Sequence, residues 1–419
     1  MPTPRASLKS FLSTAKKALL APPAQRPNPL TFVVGNESAD LDSICSALLL
    51  AYFRTHTPSH NTLHIPLSNL PRADLALRPE LAAVLSPAGL TPSDLITLSD
   101  LPKPLSAGET RWLLVDHNVP TGVLASSFLS EAEGAGKLLG CIDHHEDEGV
   151  VPEVGALGEG AVRVFARCGS CMSLVLDQCK EVWQRLAADA GDQRCEDGVS
   201  GEECDDQIAR IALAAVLVDT NNLASKDKTT NWDVRAVEMA EERVIGEKGY
   251  DRRAYHDQLT ELKEQILGMS YRDVLRKDYK RWTEGKLAVG MSTVVRGLEY
   301  LLKEVGDKSR EGFMETLRDW AREQQLDVAA VMTVSRPNGV FTRELLVWGL
   351  NEDAVKAMGQ FVRKSGETLK LETWNEGMLD AGDETSSEWR MCWWQKGVEH
   401  SRKQVAPMLR EAMKESSRL

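Results

Sequence analysis

A chain of 419 residues is longer than one ordinary hydrophobic core supports, and a 42% apolar share is enough to fill two. No apolar run approaches the ~20 residues of a membrane helix, since the longest, Ile211 to Val218, stops at Asp219. A net charge of -12 excludes a nucleic-acid binder that works through a basic face; residues 251–419 hold 28 basic and 28 acidic side chains, so the whole acidic excess lies in residues 1–250.

Residues 1–30 carry Arg5, Lys9, Lys16, Lys17 and Arg26 without an acid, and Leu8, Phe11, Leu12, Ala15 and Leu19 mark one helical face. The segment reads either as a helix docked on the first domain, followed by a Pro-rich connection from Ala21 to Pro29, or as a transit peptide. The scarcity of Ser and Arg favours the docked helix. Next, the run TFVVGNESADLDS from Thr31 to Ser43 reads as a strand broken at Gly35, an acidic loop carrying Asp40 and Asp42, and a helix capped by Asp42 or Ser43. Ile44, Ala47, Leu48, Ala51 and Tyr52 continue that helix. Two carboxylates so close repel each other, and a divalent cation held between them relieves the repulsion. Aspartates also cap helices for structural reasons alone.

Thr55 to Gly108 is rich in proline and holds one expected strand, Thr62 to Pro66, with one or two short helices. Arg111 to Val115 is a buried-strand run ending in Asp116, His117 and Asn118. Lys137 to Ile142 is another, ending in Asp143, His144, His145, Glu146 and Asp147. In a parallel sheet the carboxyl ends of strands open on one crevice, so these three polar clusters converge. Cys168 and Cys171 form a C-x-x-C without a second pair at zinc spacing, and Cys171 opens an apolar helical stretch; packing is expected there rather than metal or redox chemistry. Eight scattered cysteines fit a reducing compartment. After an acidic loop expected to be exposed, Asp189 to Asp206, the run from Ile208 suits a helix or a buried strand and delivers Asp219.

Residues 224–255 read as an interdomain connection with a short helix. Strands are expected at Leu287 to Val295, Val328 to Val334 and Phe341 to Trp348, the last two joined at Pro337 to Gly339, with helices at Gly312 to Gln325 and Glu352 to Val362. Ser401, Arg402 and Lys403 open a last helix.

The motifs GNESADLDSI, LLVDHN, CIDHHEDEG and LVDTNNL, in this order, resemble those of the DHH phosphoesterase superfamily. With LRKDYK (Leu275 to Lys280) and SRKQ (Ser401 to Gln404), the chain is most similar to the exopolyphosphatase and Prune branch, which carries a DHHA2 second domain. The resemblance implies an α/β protein: an N-terminal parallel-sheet DHH domain with helices on both faces, and a smaller α/β DHHA2 domain with a mixed sheet. The expected limits are 1–223, a linker at 224–255, and 256–419. It further implies two divalent ions, Mg²⁺ or Mn²⁺, held by Asp40, Asp42, Asp116, His144 and Asp219, with Asp116 bridging them. His145 would contact phosphate and act with Asp116 in catalysis. Asn36, where related pyrophosphatases have a histidine ligand, implies looser binding at one ion and a shift toward Mg²⁺, and argues against a dedicated pyrophosphatase. Asn36, Lys226, Arg402 and Lys403 would join His145 in binding substrate, with arginine suited to bidentate phosphate contact.

The activity so implied is an exopolyphosphatase that removes terminal phosphate from linear polyphosphate. The alternatives are a Prune-like short-chain polyphosphatase or cyclic-nucleotide phosphodiesterase, and a non-catalytic protein that binds partners. A monomer that engages neither nucleic acid nor membrane is expected, in the cytoplasm or alternatively the mitochondrial matrix.

Overall fold

The computed structural model describes residues 5–57, 62–129, 137–158, 160–188, 195, 197–246 and 249–416. The chain divides into two compact units, Met1–Lys263 and Glu264–Leu419.

The first unit is built on five parallel strands in the order β2-β1-β3-β4-β5: β1 (Leu30–Val34), β2 (His64–Leu67), β3 (Thr110–Val115), β4 (Leu138–Asp143) and β5 (Val162–Phe165). Alternate side chains of each strand point to opposite faces, and both faces are covered. On one, Val33, Leu113, Val115 and Ile142 pack against the helices Leu41–Thr55, Cys171–Ala188 and Gly201–Asp219. On the other, Phe32, Val34, Trp112, Leu114 and Cys141 meet Ala15 and Leu19 of the helix Leu8–Leu20. That N-terminal helix buries the expected face, Leu8, Phe11, Leu12, Ala15 and Leu19.

Several local expectations change in the structure. The helix after β1 begins at Leu41 and its cap is Asp40, whose carboxylate accepts from the Ser43 amide at 3.1 Å; Asp42 is left free to bond elsewhere. The run from Ile208 is helical, beginning at Gly201, so the end of the expected exposed acidic loop is helix, with Glu202 exposed and Cys204 to Asp206 buried. Asp205 and Asp206 are buried because Arg5 and Arg210 pair with them. Of the rest of that loop, residues 189–194 and 196 lie outside the described residues. Within 224–255, the helix Asn231–Glu241 packs Ala236, Val237 and Ala240 into the first unit's core. Its buried Asp233 accepts from the amides of Gly169 and Ser170 and from the Ser173 hydroxyl at 2.7 to 3.2 Å. These bonds tie residues 224–255 to the first unit, which runs eight residues past the expected limit of the connection at 255.

The second unit is a mixed sheet of six strands, β6 (Tyr279–Glu284), β7 (Leu287–Val294), β8 (Val328–Ser335), β9 (Thr342–Gly349), β10 (Leu371–Thr373) and β11 (Trp389–Gln395), in the order β10-β11-β9-β8-β7-β6. Only β7 and β8 pair in parallel. The β8–β9 hairpin turns at Pro337–Gly339, where Asn338 and Gly339 take φ of 52° and 80°. One face packs on the helix Arg310–Glu323, the other on the helices Glu352–Leu369 and Arg402–Ser416.

Candidate active site

Because β1, β3 and β4 run parallel, their carboxyl ends bring Asn36 to Asp40, Asp116 and Asp143 to His145 to one edge of the sheet. Gly35 lets the chain turn there: a Cβ on it would lie 2.6 Å from the Ser43 Cβ and 2.9 Å from the Ser43 carbonyl oxygen.

Asp116 stands at the centre. Buried, with φ of 60°, it accepts from the Asn36 amide Nδ2 at 2.7 Å and the Ser43 hydroxyl at 2.6 Å through Oδ2, while Oδ1 faces His144 Nε2 at 3.1 Å. His145 Nδ1 lies 3.7 Å from the same Oδ1, so donor atoms of Asp116, His144 and His145 all fall within 4.8 Å of one another. The buried Cys168 thiol donates to the Ser170 carbonyl at 3.0 Å, and Cys168 and Cys171 are both free.

The other carboxylates share this electrostatic neighbourhood. Burial, then the negative charges of Asp116 and Asp219, push Asp40 up to about 6, with Lys263 pulling the other way. Asp42 is raised well above the usual carboxylate range, first by burial and then by Asp116 and Asp219. Asp42 also caps the helix Cys171–Ala188, accepting from the amides of Cys171 and Met172 at 2.7 and 3.0 Å and from the Ser170 hydroxyl at 2.8 Å. Asp219, at the end of its helix, has the Lys263 ammonium 3.9 Å away. Lys263 was not legible as a site residue, because only the fold carries a helix end 44 positions later in the chain back to Asp219.

His145 is held by Asp143, which accepts from its Nδ1 at 2.7 Å and its backbone amide at 3.2 Å. Burial raises Asp143, but the His145 hydrogen bond and charge, with the Asn118 amide, outweigh it and leave the carboxyl below its ordinary range. Asn118 donates to Asp143 at 2.6 Å and to the Glu146 carbonyl at 2.9 Å, and accepts from the Glu148 amide at 3.0 Å, which joins the loops after β3 and β4. His117 lies apart, with Nδ1 on the Val115 carbonyl at 2.9 Å.

Asn36 turns inward: its Oδ1 accepts from the Ser38 and Ala39 amides at 2.9 and 3.3 Å while its Nδ2 holds Asp116. Lys226 is exposed in the turn after Asp219. Arg402 and Lys403 belong to the second unit, where Arg402 bonds Asp278 of the LRKDYK motif through its carboxylate at 2.8 Å and its carbonyl at 3.1 Å.

The donor set suits a hard divalent cation. Four carboxylates and one imidazole within one another's field are mutually destabilising unless protonated or bridged by positive charge.

Sequence models of known families match in the same places: "DHH family, N-terminal domain" over residues 31–216 and "DHHA2 domain" over residues 257–412. The chain is 30% identical over 412 residues to a Schizosaccharomyces pombe protein provisionally named an exopolyphosphatase, covering 98% of this chain and 96% of that one. It is 26% identical over 330 residues to the human exopolyphosphatase PRUNE1, covering 78% of this chain and 63% of the relative. Its fold is similar to that of a Methanococcus jannaschii protein provisionally named a family II inorganic pyrophosphatase, with a TM-score of 0.56, 20% identity, and 92% and 99% of the two chains covered. The chain therefore belongs to the DHH family, with a DHH domain followed by a DHHA2 domain.

Proposed function

We propose that the protein is a metal-dependent phosphoanhydride hydrolase that removes terminal phosphate from linear polyphosphate. The observation that carries the reading is the carboxylate and histidine cluster around Asp116 at the carboxyl edge of the parallel sheet. The full-length likeness to a protein provisionally named an exopolyphosphatase supports the substrate class.

In this reading Asp40, Asp42, Asp116, His144 and Asp219 hold two divalent ions, Mg²⁺ or Mn²⁺. When bound, such ions supply Lewis acidity and lower the pKa of water. The protein's own groups do the rest. Asn36 and Ser43 fix the Asp116 carboxylate with two hydrogen bonds, so that it keeps one orientation. Asp143 accepts the Nδ1–H of His145 and favours the protonated ring, whose Nε2–H then donates to a phosphate oxygen. Arg402 and Lys403 of the DHHA2 domain, with Lys226, neutralise the rest of the polyanion. Asn36 acts here through Asp116, its Oδ1 being taken up by its own loop.

Phosphate release tests the reading, using long polyphosphate, tripolyphosphate, pyrophosphate and a cyclic nucleotide, each with Mg²⁺ or Mn²⁺ and beside an Asp116→Ala control. Release from long chains that is lost in the control is expected. Activity confined to tripolyphosphate or the cyclic nucleotide would replace it with a short-chain or phosphodiesterase function. No turnover with either metal would leave a binding protein.

A further inference from the structure

We infer that Arg78 is a positioning residue of this site, whose guanidinium holds the Asn36–Asp40 loop in the strained shape that presents Asp40. The inference rests on the reading of the cluster as a divalent-metal site. Arg78 is 6% exposed, yet no carboxylate among the described residues lies within ion-pair distance of it. Its hydrogen bonds go to the loop: Nε donates to the Ala39 carbonyl at 2.8 Å and Nη2 donates to the Ser38 carbonyl. On the amide side of the same two residues, Asn36 Oδ1 accepts from Ser38 and Ala39. The backbone of 38–39 is thus gripped from both sides.

The grip has something to resist. Ala39 is fully buried at a φ of 45°, in the left-handed region where a Cβ crowds the following carbonyl. Such a conformation persists only where its surroundings impose it. Asp40 is the next residue, so relaxation of Ala39 to negative φ would turn Asp40 away from Asp116 and Asp219. A planar guanidinium spans two successive carbonyls, whereas a lysine ammonium offers a single point. Asn36 extends the same device to Asp116, so the loop couples the two carboxylates.

The test is Mn²⁺ binding to the full chain by isothermal titration calorimetry, without substrate, with folding followed by circular dichroism. Arg78→Met is expected to weaken Mn²⁺ binding by roughly tenfold or more, the range for groups that orient ligands. Arg78→Lys is expected to lose about threefold or more. Adding Ala39→Gly to Arg78→Met is expected to recover a good part of the loss, because glycine takes positive φ without strain; a purely packing role for Arg78 would not respond to that change. A folded Arg78→Met protein that binds Mn²⁺ within about twofold of wild type would overturn the inference, and so would a double variant no better than the single one. If Arg78→Met does not fold, Arg78→Lys decides by the same criterion. Failure of the wild type to bind Mn²⁺, or undiminished binding by Asp116→Ala, would instead overturn the metal-site reading.

Discussion

Asp40 serves two purposes at once, and a single substitution separates them. Asparagine caps a helix as well as aspartate does, so Asp40→Asn keeps the bond from the Ser43 amide while removing the charge. Burial, with the charges of Asp116 and Asp219, pushes Asp40 up to about 6 in the fold, above its ordinary 3.8. The folded state therefore holds this proton more tightly than the unfolded one, and stability is lost as pH rises from about 4 to about 6. In EDTA at pH 7.5 the Asp40→Asn protein should melt about 2–4 °C above wild type, and the gap should shrink as pH falls toward 5. With Mn²⁺ present the order should reverse, and phosphate release should fall by at least about a hundredfold. A variant less stable than wild type in EDTA at pH 7.5 would mean that Asp40 is not held against like charges. At this scale the residue types were readable, since Asp40, Asp42, Asp116, Asp143, His144 and Asp219 all follow apolar runs. Their bonds were not. That Asn36 turns its oxygen inward, and that Asp42 caps a helix 129 residues away, depend on partners remote in the chain.

Among the elements, β4 carries the Asp-His-His and depends on Gly140. That glycine has φ of 142°, and a Cβ on it would collide with the Val162 carbonyl oxygen and lie 2.9 Å from the Val162 nitrogen. The pairing with β3 shifts register at the same place, stepping from Leu138 to Gly140 as its partner moves from Trp112 to Leu113. Gly140→Ala should therefore cost about 3 kcal/mol or more, read as a fall in the denaturant midpoint by circular dichroism. An unchanged midpoint would show that β4 and β5 can separate without penalty. β1 to β4 were legible because each is a short, largely apolar run, whereas the half-buried β5, with Arg163 in its middle, was not read. The charged β6 and the aromatic β11 were not read, since β6, at a sheet edge, lacks the two-residue alternation of polar and apolar side chains and β11 has Met391 and Trp394 only partly covered. The short helix expected within 224–255 is Asn231–Glu241, but its packing into the first unit was not legible, because Asp233 is fully covered and satisfied by neighbouring amides remote in the chain.

For the molecule as a whole, two units with separate cores predict two unfolding transitions of which one answers to metal. In scanning calorimetry, Mn²⁺ at about 100 times its Kd should stabilise the unit bearing Asp116 by about 2.7 kcal/mol and leave the other transition in place. The response should vanish in Asp116→Ala; a shift of both transitions in that variant would place the metal elsewhere. The sequence by itself determined the order of the motifs and, through the resemblance they carry, the class of the molecule, a parallel α/β domain followed by a mixed-sheet domain, because apolar runs and the residues that end them are local properties of a chain. Tertiary structure alone decided how those residues are held. Arg78 on the Ala39 loop, Asn118 between two strand ends and Lys263 beside Asp219 are contacts between distant segments. No local pattern encodes which buried donor will satisfy which buried acceptor; that follows only once the sheet has brought its carboxyl ends together.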